Sequence, residues 1–172
     1  MSEQNPAANR ANNGNGSGNG ADHGTKAAAQ TFTLHQIYIK DLSLEAPSTP
    51  QIFHEQAVEP ETELNIRNGH AALENNRFEV VLNITVHAKQ GEKTIFLVEL
   101  QQAGIFVING FTPDQTALLL GTQCPATLFP YARETISTLV GKSGFPPLVL
   151  QPINFESLYA QAQAQGQQGV QA

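Results

Sequence analysis

The side chains best suited to catalysis in this sequence are a single cysteine and five histidines. Cys124 stands before Pro125 at a predicted helix start, where the helix dipole lowers a thiol pKa and favours a nucleophile. No spacing places a base beside it, and the histidines occur singly, without a His-Glu-x-x-His motif or a second cysteine to share a metal. We therefore interpret Cys124 as a small buried hydrophobic residue, and we predict no catalytic residue, metal site or cofactor.

A second candidate is Gly141-Lys142-Ser143, which has the last three residues of a phosphate-binding loop. That loop requires a glycine five residues before the Gly-Lys pair, where this chain has Ile136. The stretch also ends a predicted helix instead of beginning one, so we interpret it as a helix C-terminus.

The charge of the chain restricts its partners. Its 172 residues include 9 Lys and Arg against 15 Asp and Glu, a net charge of −6, which argues against binding nucleic acid or an anionic membrane by bulk charge. No run approaches the roughly twenty apolar residues that span a bilayer, so we predict no membrane insertion. The lone cysteine and the lack of an apolar signal segment favour a cytosolic protein.

The elements that would position any site lie between two polar tails. Residues 1–30 contain no Val, Ile, Leu, Phe, Tyr or Trp and are rich in Asn and Gly, so we predict a disordered tail. Residues 161–172 are nearly all Gln, Ala and Gly, and we expect a flexible tail there. One domain is predicted for residues 31–160.

Strands dominate the first two-thirds of this domain, because apolar residues alternate there with polar ones. A first strand extends from Phe32 to Glu45, and strict alternation predicts that its even-numbered residues share one face. Phe78–Val86 and Thr94–Ile108 read as a hairpin, and Glu63–Arg67 as a shorter strand. The proline-bearing segment Ala46–Pro60 cannot continue the first strand, so we predict a long surface crossover.

The last third has helical periodicity. Thr112 and Pro113 are typical of a helix start, a second helix follows Cys124 with Pro130 inside it, and Asn154 is a third cap. Strands followed by helices predict an α+β fold with a four-stranded antiparallel sheet, a long crossover after strand 1, and packed C-terminal helices.

Acidic side chains are concentrated on the sheet half, where residues 31–99 hold ten acidic and five basic residues. Asp41 and Glu45 share a face of the first strand, and Leu97 and Glu99 share a face of a hairpin strand. If these faces coincide, they form an acidic surface with an apolar centre that suits a basic partner. An ordinary solvated sheet face is the alternative.

Apolar side chains are more numerous than one small sheet and three helices need. We expect the crossover to expose Ile52 and Phe53, the proline-flanked linker to expose Phe145, and the last helix to offer Phe155, Leu158 and Tyr159. They either complete the core or form oligomer interfaces or a groove, and we expect the second.

Several separate segments together resemble the SecB protein-export chaperones. They are Phe32–Pro47, Val98–Phe106, Cys124-Pro125, Leu128–Glu134, Gly144–Leu148 and Pro152–Phe155. The resemblance covers about residues 32 to 160, in order and with the spacing of the family.

The resemblance implies a bacterial cytosolic homotetramer, a dimer of dimers, that binds unfolded precursor proteins without ATP and delivers them to the SecA motor. It assigns SecA docking to Asp41, Glu45, Leu97 and Glu99. It assigns client binding to Ile52, Phe53, Phe155, Leu158 and Tyr159.

Two rival interpretations remain open from the sequence. A SecB-like chaperone dedicated to one client, such as an antitoxin, would have the same fold. An enzyme would require Cys124 to be exposed and paired with a base.

Overall fold

A computed structural model describes residues 29–55 and 60–168 of the chain. Of the predicted disordered tail, only positions 29 and 30 are among the described residues. Residues 56–59 of the crossover and residues 169–172 also lie outside them. The strands are β1 (Thr31–Glu45), β2 (Glu61–Ala72), β3 (Arg77–Gln90) and β4 (Lys93–Asn109), and the helices are α1 (Pro113–Gly121), α2 (Gln123–Lys142) and α3 (Phe155–Gln168). A short 3₁₀ helix occupies Gln51–His54 in the crossover.

The four strands form one antiparallel sheet in the order β1-β4-β3-β2. The crossover leads from β1, at one edge of the sheet, to β2 at the other edge, so the predicted α+β fold is confirmed. β2 is longer than the predicted Glu63–Arg67, because its pairing with β3 continues from Glu61 to Ala72 beyond the residues that alternate in polarity.

The core lies between one face of the sheet and α2. Alternate residues of β3, such as Leu82 and Ile84, are almost completely buried on this face, and Leu128 and Ile136 of α2 are fully buried against it. A side chain at Gly104 of β4 would place its Cβ 2.8 Å from Cδ2 of Leu128. A side chain at this position would therefore force the end of Leu128 to move, so Gly104 lets α2 pack closely against the sheet. We call this the helix side of the sheet and the opposite face the outer side.

The predicted faces of β1 are wrong in the middle of the strand. His35 and Lys40 have no partner on β4, so each is the extra residue of a β-bulge. Each bulge shifts the alternation of side chains by one residue, so the residues after it point to the opposite side from the one that strict alternation predicts. Ile37 and Ile39, predicted opposite the leucines, therefore join them on the helix side, whereas Tyr38 lies on the outer side. Parity returns after Lys40, so the predicted faces hold again from Asp41 to Glu45.

The helix starts agree with the sequence. Thr112 and Gln115 form a reciprocal capping box at α1, and the amide of Ser157 donates to Oδ1 of Asn154 at α3, at 2.9 Å. α2 continues through Pro130 without a break. Pro130 and Ala126, whose carbonyl loses its donor, are both exposed, so water can satisfy that carbonyl. Within the described part of the chain, no helix is both long and apolar enough to cross a membrane.

Candidate functional site

The four residues predicted to form an acidic surface lie together on the outer side of the sheet. The register pairs Glu45 with Leu97, Ser43 with Glu99, and Asp41 with Gln101. Side chains of directly paired antiparallel residues point to the same face, so the two predicted faces coincide. The three carboxylates are exposed and Leu97 is partly buried. We call Asp41, Glu45, Leu97 and Glu99 the acidic face.

The charges of the acidic face are not neutralised by neighbouring lysines. In residues 29–55 and 60–168 the ion pairs are Lys40 with Glu79, Lys89 with Glu63, and Lys93 with Glu55. None of these pairs includes Asp41, Glu45 or Glu99. The face therefore keeps its negative charge available for a basic partner.

A polar cluster lies next to the acidic face. The Tyr38 hydroxyl and the Lys40 ammonium both donate hydrogen bonds to the Glu79 carboxylate, with 2.8 Å between Lys40 Nζ and Glu79 Oε2. The lysine and tyrosine hydrogen bonds lower the pKa of Glu79. Partial burial, together with this carboxylate, raises the pKa of Tyr38 to about 12. Around neutral pH the raised pKa of Tyr38 keeps its phenol neutral, and the lowered pKa of Glu79 keeps its carboxylate ionised.

The crossover residues line a first hollow, of about 410 Å³, on the helix side. Ile52 and Phe53 form one wall. The Phe53 ring lies 5.3 Å from that of Phe145, which lies 5.2 Å from Phe96. Phe53 is 50% exposed, whereas Phe145 is only 9% exposed. The expectation that the linker exposes Phe145 is therefore wrong, because the linker folds back onto β4 and the 3₁₀ helix.

The last helix lines a second hollow, of about 580 Å³, against β2 and α1. Leu158 is 41% exposed there, and the Tyr159 ring packs on Gly121, where a Cβ would overlap it. Phe155 is buried and packs edge-on against Phe129, with 5.8 Å between ring centroids. Phe155 therefore supports the wall of the second hollow instead of offering much free surface.

The five residues predicted to bind clients therefore belong to two hollows, which β2 connects. Thr62 lines the first hollow, and Ile66 and His70 line the second. Leu64, 43% exposed, lies between them on the same face. At about 3.3 Å per residue, an extended segment of roughly eight residues would follow β2 from one hollow to the other.

Sequence reasoning missed three contributors to these surfaces. Leu64 connects the two hollows, His87 is the β3 neighbour of Leu97 on the acidic face, and Tyr38 approaches that face only because of the bulges. The alternation of apolar residues at Leu64 and Ile66 could have indicated Leu64, and the register of the hairpin could have indicated His87. No local pattern in the sequence indicates Tyr38.

The cysteine and the histidines that the structure describes are not grouped together, and His23 lies outside the described residues. Cys124 is fully buried, as predicted, and burial raises the pKa of its thiol to about 12. Its sulfur is therefore a protonated part of the core near neutral pH. Within residues 29–55 and 60–168, no three His, Cys, Asp or Glu side chains are grouped so that they could hold a metal ion.

Fold and surfaces together define a class: a binding protein with apolar hollows on the helix side of a sheet and an acidic face on its outer side. Comparison with known proteins agrees with this class. The family model described as "Preprotein translocase subunit SecB" matches residues 25–166. Protein-export protein SecB of Nitrosococcus oceani is 51% identical over 79% of this chain and 84% of its own length. That of Stenotrophomonas maltophilia is 47% identical over 90% of this chain and 87% of its own length.

The chain belongs to the SecB family, so the family recognised from its sequence motifs is confirmed, with its role as a chaperone in protein export. Among solved structures, the fold is similar to that of the Mycobacterium tuberculosis Rv1957 SecB-like chaperone in complex with a peptide from the HigA1 antitoxin. The TM-score is 0.61 at 18% identity, over 71% of this chain and 90% of that one. At this identity the likeness concerns the fold alone, and the single-client alternative is not favoured.

Proposed function

We propose that the protein is an ATP-independent holdase of the bacterial cytoplasm, without catalytic activity. It binds unfolded precursor proteins, keeps them competent for translocation and delivers them to the SecA motor. It acts as a homotetramer, a dimer of dimers, with residues 31–160 as the chaperone domain; α3 continues beyond this domain into the C-terminal tail as far as Gln168.

The observation that carries the proposal is the separation of two surfaces by the sheet. The apolar hollows lie on the helix side and the acidic face lies on the outer side. A protein that holds one polypeptide while it docks on another needs two such surfaces, because a shared surface would force the partners to compete.

Weak binding at many points suits this arrangement. Burial of two or three apolar client side chains in a hollow is worth roughly 1.5 to 3 kcal/mol each. Ordering the client backbone costs about 1 to 2 kcal/mol per residue, so a segment of about three to five residues in one hollow binds with little net affinity. Useful affinity comes from an unfolded chain that reaches several hollows. A folded protein cannot do this, which explains selectivity without a sequence motif.

Uncovered apolar residues of β1 support self-association. Ile39 and Phe32 lie on the helix side, yet they are 47% and 37% exposed because the chain's own helices lie over β3 and β4. A second subunit would cover them. Assembly also multiplies the hollows available to one client chain.

The docking function is tested with matched carboxylate variants of the full-length chain. Glu99→Gln removes a charge from the acidic face, and Glu74→Gln removes one from the exposed β2–β3 turn as the control. We expect Glu99→Gln to weaken SecA binding by about two- to fivefold and to lower its salt dependence, because an exposed charge pair is worth up to about 1 kcal/mol. Glu74→Gln should change neither.

Binding of an unfolded precursor is measured with the same variants. Glu99→Gln should leave it unchanged, since the hollows lie on the other side of the sheet. Equal loss of SecA and precursor binding would mean that the acidic face is structural, and loss of neither would refute docking at this face.

A further inference from the structure

The β-bulge at Lys40 determines which side of the sheet Asp41 occupies. Ile39 pairs with Gln102 and Asp41 pairs with Gln101, so Lys40 is the extra residue. Without the bulge, continuation of the pairing from Ile39 would place Asp41 opposite Leu100 and Glu45 opposite Phe96. Both carboxylates would then point to the helix side. Leu97 and Glu99 lie on β4 and keep their side in either register.

A buried amide holds this bulge from the helix side. A bulge interrupts the ladder of backbone hydrogen bonds. Here the side-chain Nε2 of Gln102 donates to the carbonyl of Tyr38, at 2.9 Å. Gln102 is 3% exposed and is one of two polar residues buried in the described part of the chain. A buried amide in an apolar core is costly unless it is hydrogen-bonded, so its presence indicates a specific task at this bulge.

A second set of contacts holds the bulge from the outer side. Lys40 is the bulged residue and Tyr38 lies two positions before it, and both reach across β4 to the same carboxylate, Glu79 of β3. Their path is open because the residue opposite Tyr38 is the small Ala103, which is fully buried on this side. The tyrosine and lysine thus connect the edge strand to the centre of the sheet immediately before Asp41.

We propose that Gln102, Tyr38, Lys40 and Glu79 are positioning residues for partner docking: they hold the Lys40 bulge and so set the place of Asp41 on the acidic face. The inference rests on the proposed docking function. It adds that the position of Asp41 on the acidic face depends on these four residues. The position of Glu99, which lies on the neighbouring strand β4, does not depend on them.

The test is a double-mutant comparison of SecA affinity with the full-length chain. Asp41→Ala and Glu99→Ala are each made in the parent and in a Gln102→Leu background, in which the leucine keeps the volume but removes the donor. Asp41→Ala should weaken SecA binding by about two- to fivefold in the parent and by a much smaller factor in the Gln102→Leu background. Glu99→Ala should weaken SecA binding by the same factor in the parent and in the Gln102→Leu background.

A structural readout accompanies the affinities. Amide hydrogen exchange over Lys40–Leu42 should become faster in Gln102→Leu, with the protection of β3 unchanged. If Gln102→Leu does not fold, Lys40→Ala takes its place, since Lys40 is exposed, and Lys40→Arg should restore the parent affinity by retaining the ion pair.

The outcomes separate the two claims. If neither carboxylate variant weakens SecA binding in the parent, the docking function is refuted and this inference falls with it. If both weaken binding but Asp41→Ala costs the same factor in the two backgrounds, docking stands and the positioning role is refuted. Unchanged exchange at Lys40–Leu42 would also refute the positioning role.

Discussion

Phe53 provides the most direct test of the hollows as client sites. Its ring is 50% exposed, so about half of its surface remains for a client to cover. Full burial of such a side chain is worth about 1.5 to 3 kcal/mol, and Phe53→Ala should therefore cost about 1 kcal/mol per occupied hollow, which is about fivefold in Kd. A long chain that occupies the first hollow of two subunits meets two Phe53 rings and should lose about 2 kcal/mol, roughly thirtyfold in Kd.

The assay is fluorescence anisotropy with two probes on the full-length protein. One probe is an apolar peptide of eight residues, which can meet Phe53 of only one subunit, and the other is an unfolded precursor, which can reach Phe53 of several subunits. Leu73→Ala is the control, because Leu73 is 46% exposed at the β2–β3 turn and lines neither hollow. Phe53→Ala should lower the affinity for the peptide about fivefold and the affinity for the precursor clearly more. Leu73→Ala should lower neither affinity. The same factor for both probes would refute binding through several hollows.

Three further predictions concern stability and access. Gly104→Ala should lower the free energy of unfolding by about 1 to 3 kcal/mol, measured with urea, because its Cβ would lie 2.8 Å from Leu128. Unchanged stability would contradict the close approach of α2. Gly121→Ala should displace the Tyr159 ring and so speed amide exchange in α3 without affecting β3; equal protection of α3 would count against that contact. The thiol of Cys124 should resist alkylation at pH 7 in the folded protein. Because burial raises its pKa from 9.0 to about 12, the parent should lose stability relative to Cys124→Ala as the pH rises above 9, and identical pH profiles would contradict this.

Local patterns in the sequence were sufficient for the elements and for part of the acidic face. The capping signals at Thr112 and Asn154 act through hydrogen bonds within three residues, so they can be read without any tertiary contact. Asp41 and Glu45 are four residues apart on one strand, and alternation alone places them together. The hollows were less accessible, because Ile52 and Leu158 meet their neighbours only after the crossover and α3 fold against the sheet.

The sequence by itself determined the α+β order, the family and the identity of the carboxylates that could share a face, because strand parity and helix periodicity are short-range properties of the chain. Only the tertiary structure decided that β1 carries two bulges, that Tyr38 and Ile39 exchange sides, and that Phe145 is buried. The bulges depend on the pairing of β1 with β4, which joins residues as far apart in sequence as Phe32 and Ile108, and the burial of Phe145 depends on the linker folding back onto β4 and the 3₁₀ helix. Neither property is present in any local stretch of residues.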